Sequence, residues 1–541
     1  KMKNLRLIIL LLLLTGITPV AFAQLNPEGM EAIAAEPVAL EADAAILQQY
    51  QQTITPEELR EHLYILASDQ YEGRETGELG QKLAAEYIAR HFFEQGLEGP
   101  VDDNFNPYFQ PVALSTVRIG NVRLASPHYE AVLTTDFAPM GRFNIDLDDA
   151  GLVFGGYGIE SEAYNDLEGL ELEGKGVILV DGQPLDEDGE PLLESVPDIT
   201  RRGSALLRKG AAFLIVTFPT EEEYQSKGRF ISRYSRSSLS LGDSDPRIAA
   251  NATFLAGPEA VARLFGLEPP AYFEKLDEAT QAGKPLGGAF NTTVDVRTAV
   301  QQLPVSSENV LGYLEGTDLK DELVVITAHY DHVGVIDGKI YNGADDDGSG
   351  TVGLLEVAEA FTEAAAAGHR PRRSVLFMTV TGEEKGLLGS RYYTDMDPVF
   401  PLENTVANFN IDMIGRGDDA HAADSMFVYI IGSNMLSSEL HGIHEQVAAT
   451  YVPELTMDYK YNSKDDPQRF YYRSDHYNFA KNNIPVIFYF NGTHEDYHQH
   501  TDTPDKINYP ALAKRAQLVF ATAWEVANRD KRPVVDQAEE E

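Results

Sequence analysis

Four segments of this chain are short, continuous and apolar, and each runs into acidic or imidazole side chains. Leu323-Val324-Val325-Ile326 leads to His329 and Asp331, and Ser374 to Thr381 leads to Gly382-Glu383-Glu384. Asn408 to Ile411 ends in Asp412, and Ile484 to Phe490 opens a histidine-rich loop over residues 491–503. Runs of this kind, branched and without polar alternation, predict strands covered on both faces, as in a parallel sheet. Stretches of helical period lie between and after them: Thr351 to Phe361, and Tyr509 to Asn528 with Leu512, Leu518, Val519 and Trp524. From about 292 to 528 the pattern predicts an α/β domain with a mixed, mostly parallel central sheet sandwiched by helices.

Upstream the pattern changes twice. Thr55-Pro56-Glu57-Glu58 has the form of a helix start, and Leu59, Leu63 and Leu66 give that helix one apolar stripe. A second helix is predicted from Gly80 to Gln95, stopped near Gly96. With no strand before them, these helices (53–111) are expected to pack on the sheet supplied later in the chain. Residues 112–291 instead show short alternating strands and turns, with one helix near Arg202 to Gly210. This predicts an inserted β-rich domain without chemistry of its own. The charge runs at 186–190 and 221–223 read as solvated faces. Residues 24–52 read as a leader arm without clear periodicity, and 529–541 as a charged, disordered tail.

The first 23 residues combine Lys1, Lys3 and Arg6, an apolar run from Leu7 to Leu14, and Ala21-Phe22-Ala23 before Gln24. That is the form of a secretory signal, and the apolar run is too short to span a bilayer. The expectation is an exported protein, periplasmic or extracellular, with no membrane anchor once the signal is cleaved.

Composition narrows the chemistry. A chain of 541 residues exceeds one ordinary core. A formal charge of −42 argues against a nucleic-acid partner. There is no cysteine, so thiolate ligands and nucleophiles are excluded, and a metal must be held by His, Asp and Glu. Ligands of open α/β sheets bind beyond the carboxyl ends of the strands. His329 and Asp331 at one such end, with Asp346 just before a helix, are read equally as a metal site or as helix capping beside a core histidine. Four strands in succession, each delivering Asp, Glu or His at that end, favour the metal.

The segments AHYDHVG (328–334), NGADDDGSG (342–350), TGEEKGLLGS (381–390), NIDMIG (410–415) and DYHQHTDTPDKI (496–507) resemble, in order, the motifs of the M28 family of zinc metallopeptidases. Glu72-Gly-Arg-Glu-Thr-Gly77 resembles the family's N-terminal loop, and the insert is similar to a protease-associated domain.

The resemblance implies a zinc-exopeptidase (phosphorylase-hydrolase-like) fold and two Zn²⁺ per chain. His329 and Asp412 would hold one ion, Glu384 and His498 the other, with Asp346 bridging. His498 is chosen over His494 and His500 by its distance from Asp502-Thr503. Asp331 would orient His329, Glu383 would be the general base, and the Asp346–Asp347 peptide bond would be cis. Arg473, Asp475 and His476 resemble a family segment that lines the substrate pocket, or else form a polar turn before a helix. His332, His441 and His444 read as structural or solvent-facing. The leading expectation is an aminopeptidase acting on peptides. Alternatives are a carboxypeptidase or dipeptidase of the same family, a one-zinc glutaminyl cyclase, or a receptor-like relative that has lost its metals. Nothing in the sequence sets the oligomeric state.

Overall fold

The computed structural model describes residues 38–102, 105–186, 189–228, 238–242, 251–281 and 284–537. The signal-like stretch, most of the leader arm and the last four residues lie outside them. The described chain forms two compact units. The first takes the residues up to Gln110, Asn309–Glu383 and those from Tyr393 on; the second takes Pro111–Glu308 and Glu384–Tyr392.

In the first unit seven strands matter: β1 (Asn291–Leu314, whose last six residues lie in this unit), β2 (Leu319–His329), β3 (Arg373–Val380), β4 (Thr405–Ile411), β5 (Phe427–Ile431), β6 (Thr456–Asp458) and β7 (Val486–Phe490). Their order is β6-β5-β7-β4-β2-β3-β1. The four strands singled out in the sequence are neighbours, β7-β4-β2-β3, and all parallel, so their carboxyl ends open on one edge. β5 and β1 run antiparallel on either side.

Alternation along β2 explains why its run is apolar throughout. Val324 and Ile326 enter the core on one face with Phe361, Leu518 and Trp524, while Leu323 and Val325 enter the core on the other face with Met378, Phe479 and Phe488. The first face is covered by helices α1 (Ala44–Gln51), α2 (Pro56–Leu66), α3 (Leu79–Glu94), α4 (Gly350–Ala366), α5 (Ser438–Tyr451) and α6 (Tyr509–Asn528). The N-terminal helices therefore dock on α4 and α6. Thr55 caps α2 by accepting the Glu58 N–H, and its hydroxyl also donates to the Glu58 carboxylate at 2.7 Å.

Two expectations for the chain ends change. The leader arm includes α1, capped by Asp43 and preceded by the N–H groups of Glu41 and Ala42, which donate to the Glu525 carboxylate. At eight residues α1 is too short to show a stripe of its own. It is held by burying Leu47 and Tyr50. In the tail, Arg529 is buried against Glu525 and Glu41, and Asp536 accepts the Ser438 N–H. Among the described tail residues Arg529 and Arg532 pair with carboxylates, while Glu539 to Glu541 lie outside the described residues.

The second unit is built on strands that pair outward from the early part of β1. The early part of β1 pairs antiparallel with Ile145–Phe154, which is followed in parallel by Gly176–Val180, Phe213–Thr217 and Thr253–Ala256, with Phe137–Pro139 antiparallel at the end. Its described helices are Ile199–Arg208, Glu221–Ser226, Pro258–Leu264 and Pro269–Gln281, where the sequence pattern showed one. Glu221 to Glu223 form the first turn of a helix capped by Thr220.

Candidate metal centre

Each parallel strand delivers its side chain at the shared edge. His329 is the last residue of β2, Asp412 follows β4, Glu383 follows β3, and the loop after β7 carries His498. His329 Nε2 lies 3.3 Å from Asp346 Oδ1, 3.5 Å from Asp412 Oδ1 and 3.9 Å from Glu383 Oε2. The other oxygen of Asp346 lies 2.9 Å from His498 Nε2 and 3.9 Å from His332 Nδ1. One buried carboxylate thus faces two clusters of possible ligands. His329, Asp346 and Asp412 lie close enough to share an ion, and a second such group, on Asp346, includes His332.

The three consecutive aspartates have three different jobs. Asp345 turns away, accepting from Ser349 Oγ, the Gly415 N–H, Asn491 Nδ2 and His494 Nε2. Asp347 accepts the N–H groups of His329, Gly350 and Met413, tying β2, α4 and the end of β4 together. Only Asp346 faces His329, His332 and His498. The Asp346–Asp347 bond is cis, as the family resemblance implies. Among the histidines of the last loop, His494 is committed to Asp345 and His500 lies 3.5 Å from Lys339, leaving His498 on Asp346.

Residues around the ligands fix the aspartate loop. One Asp502 oxygen accepts the N–H groups of both Asp345 and Asp346. The buried Arg74 guanidinium donates to the carbonyls of Leu66, Tyr330, Asn342 and Gly343. Ser474 donates to Asp412 Oδ2 at 2.6 Å. Asp331 meets the other ring nitrogen of His329 through its main chain. The hydrogen bond to His329 Nδ1 runs to the main-chain carbonyl of Asp331 at 3.1 Å, with the carboxylate 3.9 Å away. That carboxylate instead accepts the Thr76 hydroxyl and the Glu383 N–H, positioning the strand end that carries Glu383.

Glu383 opens on a small pocket whose other walls are Phe470, Phe488, Phe490, Tyr497 and Arg473. Arg473 is exposed, with its guanidinium 4.6 Å above the Phe470 ring. Of the three residues expected to line the pocket, only Arg473 does so. His476 is fully buried and stacked on Phe488, and Asp475 is fully buried as well. Glu384 is half-buried and opens the segment Glu384–Tyr392 of the second unit.

The electrostatics fit a cation. Burial disfavours a charged His329, yet the carboxylates of Glu383, Asp412 and Asp346 hold its pKa well above the usual value. Burial likewise opposes ionisation of Asp346, but its bonds to His329 and His498 hold it well below the carboxylate range. Burial and the neighbouring Asp345 push Asp502 up to about 6. A set of carboxylates and imidazoles that draws positive charge to its centre suits a divalent ion of zinc type.

Sequence reasoning missed His332, Arg74, Thr76, Ser474 and Asp502. His332 is fully buried beside His498, with ring centroids 5.7 Å apart. Its position three residues after His329 was the available signal. Asp502 had served only as a marker for His498.

Residues 309–523 match the model of peptidase family M28. Aminopeptidase YwaD of Bacillus subtilis (strain 168) is 27% identical over 235 residues, covering 42% of this chain and 46% of that protein. A probable zinc metalloprotease of Pyrenophora teres f. teres is 27% identical over 290 residues, covering 44% of this chain and 57% of that protein. The chain thus spans about half the length of these curated relatives. Among solved structures, the aminopeptidase from Aneurinibacillus sp. strain AM-1 matches 91% of this chain and 98% of its own with a TM-score of 0.48 and 18% identity. The family match takes in the whole stretch from His329 to His498, so the segment that carries these carboxylates and imidazoles is the part of the chain that is similar to peptidase family M28.

Proposed function

We propose that the protein is an exported zinc-dependent peptidase that releases residues from the N-termini of peptides. The observation that carries this is the buried Asp346 carboxylate, with one oxygen toward His329 and Asp412 and the other toward His498 and His332. The names of the curated relatives, an aminopeptidase and a probable zinc metalloprotease, support the same reading. Two zinc ions would share Asp346, one held by His329 and Asp412, the other by His498 and Glu384, with His332 a further donor. Bound there, zinc lowers the pKa of a water and polarises a peptide carbonyl. Glu383, on the pocket wall, accepts the proton of the attacking water and returns it to the leaving amine. Phe470, Phe488 and Phe490 offer an apolar seat for the side chain of the departing residue. Export rests on the signal-like first 23 residues, and the second unit is read as a protease-associated-like module.

The test is a panel of free and N-blocked peptides with and without chelator. Hydrolysis of free N-termini, lost with chelator and restored by zinc, is expected; no hydrolysis of any peptide in the zinc-loaded protein would overturn the reading. A carboxypeptidase is the second reading, favoured by Arg473 at the pocket, which could grip a terminal carboxylate. Release of C-terminal residues from N-blocked peptides would select it.

A further inference from the structure

The loop after β7 is anchored by a buried carboxylate that lies two positions before His498. Asp496 is 4% exposed and uses both of its oxygens. Oδ2 accepts from Arg416 Nη1 at 3.2 Å and from Arg416 Nη2 at 3.1 Å. Oδ1 accepts from the Thr501 hydroxyl at 2.5 Å and from Lys506 Nζ at 2.6 Å. Charge-assisted bonds of this kind, on a carboxylate held out of water, are the strong ones.

The donors come from different parts of the chain. Arg416 stands just past β4, four residues after Asp412. Its main chain is fixed as well: its N–H donates to Asn491 Oδ1 at 2.6 Å, and its carbonyl accepts from Arg515 Nη1 at 2.7 Å. Lys506 lies shortly before α6, and Thr501 lies on the far side of His498. Asp496 therefore ties both flanks of His498 to the strand end that delivers Asp412.

The segment between those flanks needs holding. His498 has φ of 54°, in the left-handed region that a residue with a Cβ enters only at a cost. Its side chain is 39% exposed, so packing alone does not fix it. Tyr497 links it to Asp496, and the two rings stack with centroids 4.0 Å apart and planes at 24°. The Tyr497 hydroxyl accepts from Arg473 Nη2 at 3.4 Å, and both residues line the pocket beside Glu383. The residues next to the anchor are thus a pocket wall and the imidazole on Asp346.

We infer that Asp496 is a positioning residue that sets a metal ligand, His498, and a wall of the substrate pocket, Tyr497, through one anchor. The inference rests on the two-zinc reading given above. Without the anchor, the ion on His329 and Asp412 keeps its ligands, while the ion on His498 loses the orientation of one. Tyr497 moves with His498, so the pocket loosens at the same time.

The test uses the full chain, titrated with Zn(II) against a competing chelator, with kcat and KM measured on a peptide with a free N-terminus. Asp496→Ala should hold one ion as tightly as the parent and the other about 10-fold more weakly, the lower end of the range for partners of metal ligands. In saturating zinc its kcat should return toward the parent value while KM stays raised, because excess metal refills a site but does not rebuild a pocket wall. A purely structural role would lower the melting temperature and leave that split absent. Asp496→Asn, which gives up the charge that Arg416 and Lys506 share, should show a smaller change of the same sign. It carries the comparison if circular dichroism shows Asp496→Ala to be unfolded. A folded variant with both ions at parent affinity, or with both weakened alike, would overturn the inference. A parent that takes up fewer than two zinc ions would overturn the two-zinc reading, and the inference with it.

Discussion

One carboxylate oxygen of Asp502 accepts the main-chain N–H of Asp346 at 3.2 Å, and that of Asp345 at 2.9 Å. The loop that aims Asp346 is thus held by a residue more than a hundred positions away, on the loop that also carries His498. Asp502→Ala should leave two buried N–H groups without an acceptor and let the Asp346 carboxylate wander. Zinc affinity and turnover should each fall about 10–100-fold, the range for partners of metal ligands. Zinc titration with a competing chelator, beside kcat, checks this.

Asp346 and Asp347 should fail in different ways. Asp346→Asn should lose metal while keeping the fold. Asp347 accepts three N–H donors, and an amide can offer one oxygen to them while its NH₂ opposes the rest. Asp347→Asn should therefore lower stability, at about 1–3 kcal/mol for each buried donor left unpaired. Thermal melts of the metal-free proteins separate the two effects.

Glu383→Gln should retain zinc and fold but lose about 10²–10⁴ in turnover, since an amide cannot take the proton of the attacking water. Glu384→Gln should weaken zinc binding and recover partly in excess metal. Metal content and kcat measured on the same preparations distinguish the two. A metal-free Glu383→Gln would reverse the assignment.

Arg74 gathers four carbonyls from the segments around β2 and the aspartate loop with one planar group. A lysine keeps the charge but has three donors on one nitrogen, which cannot reach four separated oxygens. Arg74→Lys should lower the melting temperature and the zinc affinity together. If zinc affinity stays at the parent value, Arg74 serves stability alone.

Acid stability should be governed in part by buried histidines. Burial pushes His444 down to about 3 and His441 down to about 4. Their folded values lie below the unfolded value, so the unfolded chain takes up protons first as pH falls. The stability they contribute is full above about pH 6.5 and drains away toward pH 3–4, at about 1.4 kcal/mol per pH unit for each group. Urea midpoints measured across that window should flatten in His444→Gln, by up to one group's share of the slope.

The parallel block was legible because burial on both faces leaves no polar position in the strand, as Leu323 to Ile326 show. The strand ends then marked His329, Glu383 and Asp412. What spacing could not give was direction. Asp345, Asp346 and Asp347 are equivalent as text, and only the turn of the backbone separates a buttress, a shared ligand and a hub. His332 was set aside because nothing in His-Tyr-Asp-His tells which imidazole turns inward. Asp331 reaches His329 Nδ1 by its carbonyl, and which atom of the residue does so is not written in its side chain. Helix α1 escaped notice because its stability comes from α4 and α6, hundreds of residues later. Partners that far apart in sequence leave no local signature.

That separation also bears on how the chain is made. Helices α1 and α2 leave the ribosome long before the α6 surface they cover, which begins at Tyr509, roughly 400 residues later. At about 5–20 residues per second, their apolar stripes wait on the order of 20–80 s for a partner. Through that interval Leu47, Tyr50, Leu59 and Leu63 are open to chaperones, to proteases and to other nascent chains. Slowing or speeding synthesis of the intervening 200-residue excursion should therefore alter yield without altering the finished protein.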